Sequence, residues 1–128
     1  MLGAPLIQKK LKKVLLLRAS GQVLGAEKVV LELAQELPSY GYHPIIGIPV
    51  EQGVEPDLFK AAKRQGCEVI AFNIDNAFDL RAIKKIREFV DQNSIEILHS
   101  HGYREDFYAL FGAGKAKIVA TNHLWKKS

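Results

Sequence analysis

The sequence predicts an α/β fold: an open parallel sheet of about five strands with helices on both faces. Three observations carry this. Densely apolar runs of strand length recur, the stretches between them place apolar residues at helical spacing, and glycine, proline or asparagine marks nearly every junction. Alternation of this kind builds βαβ units, whose right-handed crossovers bury the strands on both sides.

The elements follow in order. Val14 to Leu17 (VLLL) is continuously apolar and reads as a first strand covered on both faces. After a loop from Arg18 to Gly25, the segment AEKVVLELAQEL sets Val29, Val30, Leu33, Ala34 and Leu37 on one helical stripe, ended by Pro38 and Gly41. Glu27 falls in its first turn, where the helix dipole favours an anion. Pro44 to Val50 is the second strand, with Pro44 expected at its start and Pro49 at its exit, because an internal proline removes a ladder donor. Pro56 opens a helix through Leu58, Ala61 and Ala62 that stops at Gly66, and Glu68 to Ile74 is the third strand. Asp79 caps a helix whose Leu80, Ile83, Ile86 and Val90 face the sheet, closing near Asn93. Ile95 to Ser100 is the fourth strand. Past the Gly102 turn, a helix runs through Phe107, Leu110 and Phe111 to the glycines at 112 and 114, and Lys117 to Thr121 is the fifth strand. The result is a Rossmann-like unit over residues 14–128 behind a basic leader arm, 1–13. The last strand lacks a covering helix, so the chain reads as a fragment truncated before that helix.

Composition narrows the function. A chain of 128 residues, 48% hydrophobic and 25% charged, fits one globular domain. The net charge of +4 comes partly from Lys9, Lys10, Lys12 and Lys13, a basic arm instead of a basic face. Charges of both signs elsewhere argue against nucleic acid as a partner. A single cysteine, Cys67, excludes an internal disulfide and fits a reducing, cytoplasmic compartment. Met1 to Ile7 is too short for a signal core and its lysines follow it, so the arm reads as a solvated leader, with attraction to anionic lipid as the alternative.

Several chemistries fall away. SGQVLGAEK lacks the Gly-Lys-Ser/Thr of a phosphate loop, and Gly21 and Gly25 lack the third glycine of the dinucleotide turn. Glu51, at the end of the second strand, is a weak ribose candidate. His99 and His101, two apart on one strand, share a face, and His123 could serve as a third ligand if the fourth and fifth strands are neighbours. Without a cysteine or carboxylate at ligand spacing, no metal is expected.

The stretch IEILHSHGYREDFY is therefore the centre of the reading: a buried strand delivering polar groups to its carboxyl end, where ligands sit in an open parallel sheet. The order VLLL, LGAEKVVLELAQEL, ILHSHGYRED and IVATNHLW resembles the amino-terminal domain of glycosyltransferase family 4, from Val14 to Trp125. The resemblance implies one lobe of a two-lobed GT-B enzyme that moves a sugar with retained configuration, without a required metal or cofactor. This lobe would bind the acceptor, a glycan or lipid-linked molecule of cell-envelope polysaccharide synthesis, and the absent lobe would hold the nucleotide sugar. By resemblance, Gly25, Ala26 and Glu27 form the loop whose amides approach the donor diphosphate, and Leu24 replaces the first of two glycines usual there. His101 matches the histidine against the transferred sugar, where an imidazole can bond a hydroxyl or take a proton. Arg104 is set to pair with an acceptor anion or with Glu105, Asp106 or Glu96, and Tyr103 to stack on a sugar or pack. Thr121 and His123 are expected to line the same cleft, and Trp125 to cover the sheet end. Glu88 and Glu96 match the spacing of the family's donor-side glutamates without their glycine context. The isolated fragment is expected to be inactive and to self-associate through uncovered apolar area. A free-standing Rossmann-like binding module without catalysis is the alternative.

Overall fold

The computed structural model describes residues 11–19, 23–51, 53–76 and 79–121, with backbone alone at 103 and 104. Residues 1–10, which hold most of the leader arm, together with Gly21, His123 and Trp125, lie outside that set. The elements are β1 (Lys12–Leu17), α1 (Gly25–Glu36), β2 (Tyr42–Glu51), α2 (Asp57–Arg64), β3 (Val69–Ile74), α3 (Leu80–Gln92), β4 (Ile95–His101), α4 (Tyr103–Gly112) and β5 (Lys117–Thr121). All five strands are parallel, in the order β3-β2-β1-β4-β5. The expected Rossmann-like sheet is the one observed.

Strand β1 lies at the centre because nothing from Val14 to Leu17 needs water. Leu15, Leu16 and Leu17 are all 0% exposed, and alternation sends them to opposite faces. Val14 and Leu16 join Ile46, Ile48 and Val50 against Val30, Leu31 and Ala34 of α1 and Leu58, Ala61 and Ala62 of α2. Leu15 and Leu17 join Ile45, Phe72 and Ile74 against Ala82, Ile86 and Val90 of α3 and Tyr108 and Ala109 of α4. Each such leucine contributes about 1.5–3 kcal/mol through burial. Gly47 leaves room for this packing, since a Cβ there would stand 2.9 Å from Leu15 and 3.0 Å from Phe72.

Several sequence expectations are corrected. Lys12 and Lys13 belong to β1, paired with Tyr42 and His43, so the strand begins inside the supposed leader arm. Pro44 and Pro49 both lie within β2, which spans Tyr42–Glu51. Ile46 donates its N–H to Glu68 and Gly47 accepts from Arg18, so even-numbered residues of β2 point their amides at β3 and odd-numbered ones at β1. Pro44 therefore faces β3 before that strand starts opposite Ile46, and Pro49 faces β1 beyond its end at Leu17, opposite Gly47. Neither missing donor breaks a ladder. Pro56 is the cap residue of α2 instead of its first helical residue.

Helix faces also differ from expectation. Leu80 is 75% exposed, because the buried stripe of α3 is Ala82, Ile86 and Val90 and Leu80 stands about 200° round the helix from Ala82. On α1, Val29 faces solvent while Leu31 packs inward. On α4, Tyr108, Ala109 and Gly112 are buried, which turns Leu110 (66% exposed) and Phe111 (54%) outward. Asp79 caps α3 as expected: its carboxylate accepts from Arg81 N–H at 2.8 Å and from Asp75 N–H at 2.7 Å. The Asp75 amide, with help from the Arg81 and Ala82 amides and against the effect of burial, holds this carboxyl below its ordinary 3.8. The Asp79 N–H in turn donates to the buried Tyr108 hydroxyl at 3.1 Å, fixing this helix start to α4.

Candidate functional site

Helices α1 and α2 cover one face and α3 and α4 the other, so the connections leaving β1 and β4 turn away from each other. Between neighbouring strands whose connections diverge, an open sheet forms a crevice at the carboxyl ends. Arg18, directly after β1, lies at that point. Its Nε donates to Glu27 Oε2 of α1 at 2.8 Å, and its Nη1 donates to the His101 carbonyl at the end of β4 at 2.6 Å. The same Nη1 stands 3.6 Å from Glu105 Oε2 of α4, which also accepts the Ala19 N–H at 2.6 Å. Glu27 and Glu105 are 2% and 3% exposed, and carboxylates so buried persist only with charged or amide partners.

The start of α1 is unusual in its cap. Glu27, at the third helical position, returns its Oε1 to the Leu24 N–H at 3.0 Å, which is half of a capping box. Leucine has no acceptor to supply the other half. Gly25 is exposed, and a Cβ built on it meets nothing within 4 Å, so the backbone there is open to approach.

On β4, His99 and His101 do share a face. Their ring centroids are 4.0 Å apart with a 36° tilt, and His99 Nε2 lies 2.6 Å from Thr121 Oγ1 on β5. Thr121 is also the register partner of His101. The His101 side chain is 0% exposed, packed beneath the rim and not standing out from it. Ser100, on the other face, donates to Asp106. Gly102 then turns the chain into α4 at φ +126°, and a Cβ there would fall 2.8 Å from Arg18 Nη1 and 2.9 Å from Glu105 Oε1. That turn has room only for glycine.

The structure thus brings Gly25, Ala26, Glu27, His101 and Thr121 to one end of the sheet. Tyr103 and Arg104 open α4 beside them, their side chains outside the described set, as is His123. Sequence reasoning missed Arg18 and the reach of Glu105. The available signal was an arginine placed directly after four buried apolar residues. A hollow of about 560 Å³ lies at the opposite edge, lined by Leu11, Lys13, His43, Ser94 and Glu96, where strands begin and loop chemistry is sparse. Among the described residues, no group of three His, Cys, Asp or Glu side chains is gathered to hold a metal ion.

Fold and crevice together define a doubly wound α/β lobe with an open crevice at the β1/β4 switch. Residues 23–127 match the family model of Glycosyltransferase Family 4, and the chain belongs to that family. A glycosyltransferase from Rickettsia africae ESF-5 has the same fold over 88% of this chain, with a TM-score of 0.70 at 22% identity. The chain spans 30% of the length of that structure. Among curated proteins, none matches this chain significantly.

Proposed function

We propose that the chain is the acceptor-binding lobe of a retaining glycosyltransferase, moving a sugar from a nucleotide-sugar donor to a glycan or lipid-linked acceptor in cell-envelope polysaccharide synthesis. The observation that carries the reading is the meeting of the α1 start and the His101–Gly102 turn at one rim, joined by Arg18. An exposed glycine turn suits a diphosphate approaching from a facing lobe, and a histidine at the adjacent strand end suits a sugar hydroxyl. Arg104, Tyr103, Thr121 and His123 would line the acceptor side. No metal or other cofactor is assigned to the transfer.

The burial of the His101 ring adds a step. A reacting group must touch its substrate, so this reading requires the imidazole to become accessible when the site is loaded. His101→Ala in the complete two-lobed enzyme is expected to lower turnover by about two orders of magnitude, the scale of a general acid-base group; unchanged turnover would remove His101 from the reaction. Calorimetric titration of the 128-residue chain with UDP-glucose and GDP-mannose is expected to show at most very weak uptake. Tight binding would place the donor site in this lobe.

The setting proposed is the cytoplasm, with peripheral contact to anionic lipid through the basic arm. Among the described residues, no helix is long and apolar enough to cross a membrane.

A further inference from the structure

We infer that Arg18 is a positioning residue, coupling the start of α1 to the His101–Gly102 turn so that both sides of the crevice hold one geometry. The inference rests on the reading of that rim as the transfer site, and it assigns to Arg18 no contact with substrate.

Three elements distant in sequence converge on one guanidinium. Glu27 is 9 residues away and His101 is 83 away, and the adjoining Ala19 amide reaches Glu105 across 86 residues. The bonds differ in direction. Nε serves α1 while Nη1 serves the β4 end and α4, so the planar fork fixes an angle between the two sides as well as a distance. Glu27 passes this constraint to the Leu24 N–H and hence to the turn entering α1. On the other side, Nη1 lies close against the Gly102 backbone: a Cβ there would stand 2.8 Å from it, so with a side chain at that position the guanidinium would have to shift. At only 20% side-chain exposure, the guanidinium has little freedom to leave.

A lysine would supply the charge but not the fork. A single ammonium cannot reproduce the fixed angle between the Glu27 carboxylate and the His101 carbonyl. This separates positioning from simple charge compensation.

The test uses the full chain labelled with ¹⁵N. In the unaltered protein, the Arg18 Nε–H signal is expected to be protected from exchange and its Nη signals resolved by hindered rotation. Exchange as fast as that of the exposed Arg64 would overturn the inference. Glu27→Gln is expected to shift the Gly102 amide and the His101 ring protons when Arg18 is present, and to leave them unmoved in Arg18→Gln and Arg18→Lys backgrounds. Persistence of that long-range shift without the arginine would overturn the inference equally. An arginine with only a bulk structural role would lower the melting midpoint, yet leave these site-specific shifts uncoupled. If Arg18→Gln does not fold, the exchange measurement and the lysine variant decide. Failure of the functional reading would show itself separately, as wild-type turnover in His101→Ala or tight nucleotide-sugar uptake, with the Arg18 coupling intact.

Discussion

Helices α1 and α3 both start at the carboxyl edge of the sheet, but they are finished differently. At α3, Asp79 accepts two backbone N–H groups, and its own N–H is taken by Tyr108, so the start is closed. At α1, the cap position is Leu24, which has no acceptor and is 60% exposed, and among the described residues the side chain turned back to it is Glu27. A helix start that serves only the fold can be sealed by a good cap residue. At α1, which faces the crevice, Gly25 is exposed and the start is held instead by the buried pair of Glu27 with Arg18.

Three substitutions test this contrast. Removing the pair has the largest effect. Glu27→Ala is expected to cost about 2 kcal/mol in a denaturant titration, below the usual loss for a broken buried pair because Arg18 keeps some solvent and its bond to His101. A midpoint unchanged from wild type would show that α1 does not depend on that pair. Next comes acid sensitivity at the closed start. The Asp79 carboxyl lies below its ordinary 3.8 in the folded chain, so its contribution is complete above that value and is lost as pH falls through the lower, folded one. Asp79→Asn is expected to flatten the acid side of the stability curve while keeping a cap acceptor. An acid limb identical to wild type would assign the sensitivity to other carboxylates. The smallest effect is a gain: Leu24→Ser completes the capping box and should add about 0.5–1 kcal/mol, since the exposed leucine gives up little burial. A loss of stability there would mean that Leu24 packs against something at the rim.

Much of the architecture was legible because local rules agreed with the global ones. The apolar run at Leu15 to Leu17, the cap at Asp79 and the short strand from Lys117 to Thr121 each needed no knowledge of their neighbours. The misplacements arose where a neighbour decides. Whether a proline is tolerated within β2 depends on where β1 ends and β3 begins, and this is a fact about other strands. Leu80, Leu110 and Phe111 are apolar and near the right spacing, but which stripe packs is set by the sheet beneath, so the small residues Ala82, Ala109 and Gly112 took the inner positions. For the site, the histidine pair and the glycine turn announced themselves by residue type. Arg18 did not, since its partners stand 9 and 83 residues away and its role exists only once β1 and β4 are adjacent.

The two prolines of β2 have a consequence for how the chain finds its alignment. Slid one way, the strand would set the nitrogen of Pro49 against the last residues of β1; slid the other way, Pro44 would meet the first residues of β3. Either slip leaves a carbonyl without a donor, so wrong pairings are penalised in both directions. The pair acts as a ratchet with a single resting notch, and the loops above it inherit their alignment from that notch.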